Sequence, residues 1–205
     1  NLFYNIPARR KFLKNDRIEL RHCIDEFHRV ALVHSHIEWI MKSDENLLFH
    51  LKPAPLRQRI TGIFGRKFDE RVVPIQEATD VVQLEGFILK PEFAKKKRGE
   101  QFFFVNGRYI KSPYLHNALR EAFEDVLTGD HHPGYFLYLS VDPAEIDVNI
   151  HPTKTEIKFE DERAIYAVIR SAARHAIGQF NVAPTIDFDA EQSFSVPPLP
   201  EGQLP

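Results

Sequence analysis

The stretch Asp147-Val148-Asn149-Ile150-His151-Pro152-Thr153-Lys154 places a lysine where it could hold an anion. Ile146, Val148 and Ile150 alternate with Asp147, Asn149 and His151, giving one apolar and one polar face. Pro152 cannot donate to a sheet ladder and keeps His151 extended, so pairing stops there. Lys154 then projects from a loop at a strand end. Such a lysine is either a solvated cation or a compact charge presented to a phosphate. At about 4 Å and an effective dielectric of about 20, one charge pair contributes roughly 4 kcal/mol before desolvation. Residue types alone leave both roles open.

Further cations fall in groups: Lys95, Lys96, Lys97 and Arg98 in one run, Arg108 and Lys111 in "NGRYIK", and Arg9 and Arg10 with Lys11. Each group is either a solvated face or a set of phosphate contacts. Net charge is −2, which alone argues against a bulk nucleic-acid binder. The distribution is uneven, however. Residues 182–205 hold Asp187, Asp189, Glu191 and Glu201 and no Lys or Arg, whereas Lys90 to Lys111 holds seven basic and two acidic residues. The run Phe102–Phe104 is read as core rather than a base-stacking platform, since alternation buries Phe103 or its neighbours. Ten histidines and one cysteine show no zinc spacing, so no metal site is expected. No Ser-His-Asp arrangement or phosphate-cradling glycine loop is apparent.

The elements that would position these groups follow from periodicity. Asp16 and Glu19 fit a capping box opening a helix over about 17–34. Ile37 to Leu51 alternates about a turn-rich Ser43–Asn46, a β-hairpin. A short helix is expected from Pro55 to Phe64 with Gly65 as its stop, then a loop over 66–80, then a strand over 81–90. Asn106-Gly107 favours a type I′ turn between two strands, and Ser112-Pro113 caps a following helix. "GYFLYLSV" reads as a strand buried on both faces or central in a sheet, and a last helix starts near Asp161. After Asn181, five prolines in 24 residues predict a linker or disordered tail. The order is mixed, α+β or α/β, with one sheet and helices on it.

With 43% hydrophobic and 27% charged residues the chain is that of an ordinary globular protein with one substantial core. No apolar run is long enough to span a membrane, and no secretory signal opens the chain. Cys23 alone excludes an intrachain disulfide and points to a reducing compartment. The chain opens without Met in mid-pattern and reads as an excised fragment.

Three motifs together resemble the MutL family of DNA mismatch-repair ATPases: "LFYNIPARRKFL" (Leu2–Leu13), "FFVNGRYI" (Phe103–Ile110) and "DVNIHPTKTEIKF" (Asp147–Phe159). The resemblance covers about residues 1–181 and implies the transducer half of that family's N-terminal ATPase region. It implies an α+β fold, a two-layer α/β sandwich like domain 2 of ribosomal protein S5. That fold has a mixed sheet with helices on one face and a left-handed βαβ crossover, against the usual hand. Residues 1–16 would end the ATPase domain, 17–181 would form the transducer domain, and 182–205 an acidic, proline-rich linker.

By the same resemblance, Lys154 matches the lysine that reaches the ATP γ-phosphate, with Asp147, Asn149, His151 and Pro152 supporting its loop. Lys95, Lys96, Lys97, Arg98, Arg108, Lys111, Arg9 and Arg10 become DNA-contact candidates. Ser112-Pro113 departs from relatives that carry a further arginine there. The parent would use ATP and Mg²⁺, dimerise through its N-terminal region on binding ATP, and signal to mismatch-recognition and downstream repair proteins in a bacterial cytoplasm, near the nucleoid. The fragment itself, lacking the catalytic residues, would be neither an ATPase nor an ATP binder. The rival readings are the equivalent domain of a type II topoisomerase and a free-standing RNA-binding module of the S5 type.

Overall fold

Helices and strands alternate along the chain, and a computed structural model describes residues 3–97, 99–127, 129–148 and 155–182. The first elements are α1 (Pro7–Arg10), α2 (Asp16–Val33), β1 (Trp39–Ser43), β2 (Asn46–Leu51) and α3 (Leu56–Phe64). They are followed by β3 (Val72–Ala78), β4 (Gln83–Leu89), β5 (Gln101–Val105), β6 (Arg108–Ile110) and α4 (Pro113–Ala122). The chain continues through β7 (Tyr135–Ser140), β8 (Ile146–Asp147), β9 (Lys158–Phe159) and α5 (Glu162–Val182).

The apolar strand β7 lies at the centre of a five-stranded sheet ordered β3-β4-β7-β5-β6. It runs antiparallel to β4 and parallel to β5, while β3–β4 and β5–β6 are antiparallel, so the sheet is mixed. Parallel pairing of β5 and β7 requires a crossover, which passes through β6 and α4. Gly86 faces β7 so closely that a Cβ there would stand 2.0 Å from the Phe136 carbonyl oxygen, and its φ is +140°. Only glycine fits that approach.

Alternation along the central strands splits the interior into two cores. Phe103, Val105, Tyr135, Leu137 and Leu139 pack with α4 and α5. Phe104 and Phe136 pack with α2, α3 and the β1–β2 hairpin, joined at the margin by Phe102 and Tyr138. Phe102 stacks on Phe136 at 5.4 Å, and Phe104 on Tyr138 at 4.7 Å. Helices therefore cover both faces of the sheet, not one, and the expected two-layer sandwich becomes three layers. The physical reason is the Phe102–Phe104 run: with all three rings directed into protein, each face needs a cover. Each fully buried aromatic contributes about 2–3 kcal/mol of burial energy.

Several local expectations hold. Asn106 and Gly107 have φ of +48° and +74°, as a type I′ turn requires. Ser112 Oγ accepts from the Leu115 amide and Pro113 opens α4. Gly65 ends α3 at φ +97°. Three differ. The cap of α2 is Asn15, whose Oδ1 accepts from Ile18 N, while Glu19 receives the Lys14 amide. The 66–80 loop contains edge strand β3, hidden because Pro74 and polar Gln76 and Glu77 interrupt its pattern. The strand expected through Asp147 is only two described residues long, and it pairs with β9 outside the main sheet.

One buried cation was not foreseen. Arg59, on the inner face of α3, is 1% exposed, and its Nη2 donates to the carbonyls of Ser35 and Ile37 at 2.7 and 2.6 Å. It ties α3 to the turn between α2 and β1.

Candidate nucleotide-sensing loop and basic surface

Asn106 begins the positioning of the site. Its amide donates to the Leu139 carbonyl at 2.9 Å and its Nδ2 to the Val141 carbonyl at 2.9 Å. The Val141 amide returns a bond to Asn106 Oδ1 at 3.0 Å. The turn residue thus grips the exit of β7. Asp142 Oδ1 then accepts from Ala144 N, and a short 3₁₀ turn, Pro143–Glu145, leads into β8.

Asp147 lies opposite Lys158 in the β8–β9 pair, and Glu160 N donates to Glu145 O at 2.8 Å, closing the base of a loop. Ile146 and Val148 rest on the α4–α5 core, with Ile157 and Phe159 buried on the returning side. Beyond the ladder, the Lys111 amide donates to the Thr155 carbonyl at 2.7 Å. Asn149, His151, Pro152 and Lys154 lie outside the described residues; of the loop-support group, Asp147 is described, exposed on β8. On either side of these residues, Val148 packs on the core and Thr155 is bonded to Lys111, just past edge strand β6.

Arg108 and Lys111 lie on β6 and just past it, both exposed. They share a cleft of about 470 Å³ with Arg29, Tyr109 and Thr155. The Arg29 guanidinium lies 4.3 Å from the Tyr109 ring centre and is ion-paired with Glu26. Burial pushes the Tyr109 hydroxyl up, and Arg29 opposes this, so the ring stays a neutral platform. A second cleft, of about 500 Å³, is also lined by Tyr109 and Lys111 and continues to Gln101 and Gly99. Together the clefts run along the β6 edge.

The other candidates divide. Lys95 Nζ is held by Glu100 Oε1 at 2.6 Å and its backbone pairs with His132. Lys96 and Lys97 are exposed and make no ion pair among the described residues, and Arg98 lies outside them. Arg9 and Arg10 are exposed on α1, away from any core, with Arg9 5.7 Å over the Phe3 ring. Arg29 and Thr155 were missed by sequence reasoning. Nothing local in the sequence links them to residues about 80 and 45 positions away. Among the described residues no cluster of His, Cys, Asp or Glu could hold a metal ion, and no helix is long and apolar enough to cross a membrane.

The fold is a mixed α+β domain with a five-stranded mixed sheet, consistent with the S5 domain 2 type. The family model "DNA mismatch repair protein, C-terminal domain" matches residues 60–178, more than half of the chain. MutL of Christiangramia forsetii is 57% identical over 197 residues, 96% of this chain and 32% of that protein. MutL of Flavobacterium psychrophilum is 58% identical over 197 residues, with the same two shares. The chain spans about a third of the length of the curated relatives it matches. Among solved structures, the N-terminal domain of a DNA repair protein superposes with a TM-score of 0.70 at 21% identity, over 88% of this chain and 60% of that one. The Aquifex aeolicus MutL ATPase domain complexed with ADP gives 0.52 at 23%, over 69% of this chain and 50% of that one. The chain belongs to the MutL family of DNA mismatch repair proteins and covers its transducer-type domain.

Proposed function

We infer that this domain couples ATP binding in an adjacent ATPase domain to DNA and partner contacts, with Lys154 as the γ-phosphate contact. The Lys111–Thr155 hydrogen bond carries the reading. It joins Thr155, the residue after Lys154 in the sequence, to the residue after β6, along whose edge the two clefts run. ATP enters as the parent's substrate. Mg²⁺ and most nucleotide contacts belong to residues outside this chain, which by itself neither hydrolyses nor binds ATP. In this reading residues 1–16 form the junction with the ATPase domain, 17–181 the transducer and 182–205 a linker. Exposed Tyr4 and Phe12 beside Arg9 and Arg10, and exposed Ile40 and Leu47 on the β1–β2 hairpin, suit a surface covered in the parent. The S5-like reading extends to a left-handed crossover from β5 to β7. Partners are DNA, mismatch-recognition and downstream repair proteins, and a second N-terminal region on ATP binding, in a bacterial cytoplasm. ATP turnover by the full-length protein tests this: Lys154→Ala lowers it at least about tenfold, equal to about 1.4 kcal/mol of lost stabilisation. Unchanged turnover and nucleotide affinity reject the assignment.

A further inference from the structure

The β5–β6 ladder ends at Phe103–Ile110, because Ser112 and Pro113 take the chain out of the sheet and into α4. Strand β5 itself begins two residues before Phe103, at Gln101. The cleft of about 500 Å³ opens beside that unmatched end of β5, against the first turns of α4. Phe103 and Tyr135, both buried, contribute to its lining and pack with ring centres 4.6 Å apart. His116 Nδ1 stands 3.3 Å from the Tyr135 hydroxyl, and Gln101 Nε2 donates to the Pro133 carbonyl at 3.0 Å. Both polar groups are therefore held in position at the cleft.

Asn117, also in the lining, is exposed, and its amide bonds nothing else among the described residues. Lys111 lines the cleft and no carboxylate does, whereas Glu26 lines the neighbouring one. Rings, amides that both donate and accept, an imidazole and a lysine suit a flat group with a polar edge and an anion next to it. A nucleobase with its phosphate is such a group. Asn and Gln amides match base edges, and a lysine is a compact charge for a phosphate. A cavity of this size takes one ligand of nucleotide dimensions. In a duplex each base is paired and stacked, so the base that enters comes from an unpaired strand.

We propose that this cleft takes one unstacked base of a single-stranded DNA segment, with Asn117, Gln101 and His116 at the base and Lys111 at the adjoining phosphate. The inference rests on the DNA reading given above and deepens it. The surface then tells an unpaired strand from a duplex by a base contact, not by charge alone.

Two single strands of about 12 nucleotides test it, one with ordinary bases and one abasic throughout with the same phosphates. The 205-residue chain is expected to bind the ordinary strand about three- to tenfold more tightly than the abasic one. Asn117→Ala should remove most of that ratio and leave affinity for the abasic strand and for a duplex unchanged. Asn117 is exposed, so the substitution spares the fold. In amide NMR spectra, Gln101, His116 and Asn117 should move with the ordinary strand and not with the abasic one. Equal binding of the two strands rejects the base site and keeps the DNA reading. Binding of neither strand nor of a duplex rejects both, so the two failures are distinguishable. A preference for the ordinary strand that survives Asn117→Ala, with these amides unmoved, puts the base contact elsewhere and rejects the cleft.

Discussion

The Lys111 amide donates to the carbonyl of Thr155 across 2.7 Å, fixing Thr155 just past the edge strand β6 of the central sheet. The bond uses backbone groups only, while Lys111 also lines both clefts. Lys111→Pro removes the amide donor and Lys111→Ala removes only the cation. In the full-length protein, Lys111→Pro is expected to lower ATP turnover with the smaller effect on DNA. Lys111→Ala should weaken DNA binding about uniformly across sequences and leave turnover unchanged. Equal effects of both variants on turnover would show that the amide tether is irrelevant.

Asn106 makes two side-chain bonds to Val141 from a left-handed backbone conformation. Asn106→Ala loses both bonds, at about 1 kcal/mol each, and adds about 1 kcal/mol of backbone strain. Denaturant titration should show a loss of roughly 3 kcal/mol. Asn106→Gly keeps the backbone relaxed and should lose less. A loss below about 1 kcal/mol for the alanine variant would mean the clamp is dispensable.

The cations of the 95–97 run are not equivalent. Lys95 is already neutralised by Glu100, whereas Lys96 and Lys97 are exposed. Lys96→Glu with Lys97→Glu should weaken duplex binding and flatten its salt dependence by about two counterions, while Lys95→Gln changes the slope by less than one. An unaltered slope for the double variant returns the run to solvated surface.

His28 lies against Phe49 and Phe64, with Nε2 buried and without a hydrogen-bond partner among the described residues. Burial lowers its pKa from 6.5, with Asp25 pulling weakly the other way. The unfolded chain therefore binds more protons below about pH 6.5, so this residue makes stability fall as pH drops through that window. His28→Leu should flatten the acid side of the Tm–pH profile relative to the parent. Identical slopes would show that the ring ionises as freely in the folded state.

Much of this was legible because it is local. Asn106-Gly107, Ser112-Pro113 and Gly65 each encode a backbone conformation in one or two residues, and the continuous apolar run of β7 signals a strand covered on both faces. That second cover was nevertheless missed for the neighbouring Phe102–Phe104. Period two tells which residues alternate, not whether both sides find a helix. Arg59 was illegible for a related reason: its partners are carbonyls of Ser35 and Ile37, over twenty residues away. The site divides likewise. The Lys154 expectation lies outside the described residues, and the bond from Lys111 to Thr155 is a long-range backbone contact that leaves no trace in residue type.

The central claim is that Lys154 reports nucleotide binding to this domain. The most direct measurement is dimerisation of the full-length protein's N-terminal region, followed by light scattering as a non-hydrolysable ATP analogue is added. With Lys154→Ala the analogue is expected to leave the region monomeric at concentrations that dimerise the parent, while Lys154→Arg recovers part of the response. Dimerisation of Lys154→Ala at the parent's analogue concentration would contradict the account.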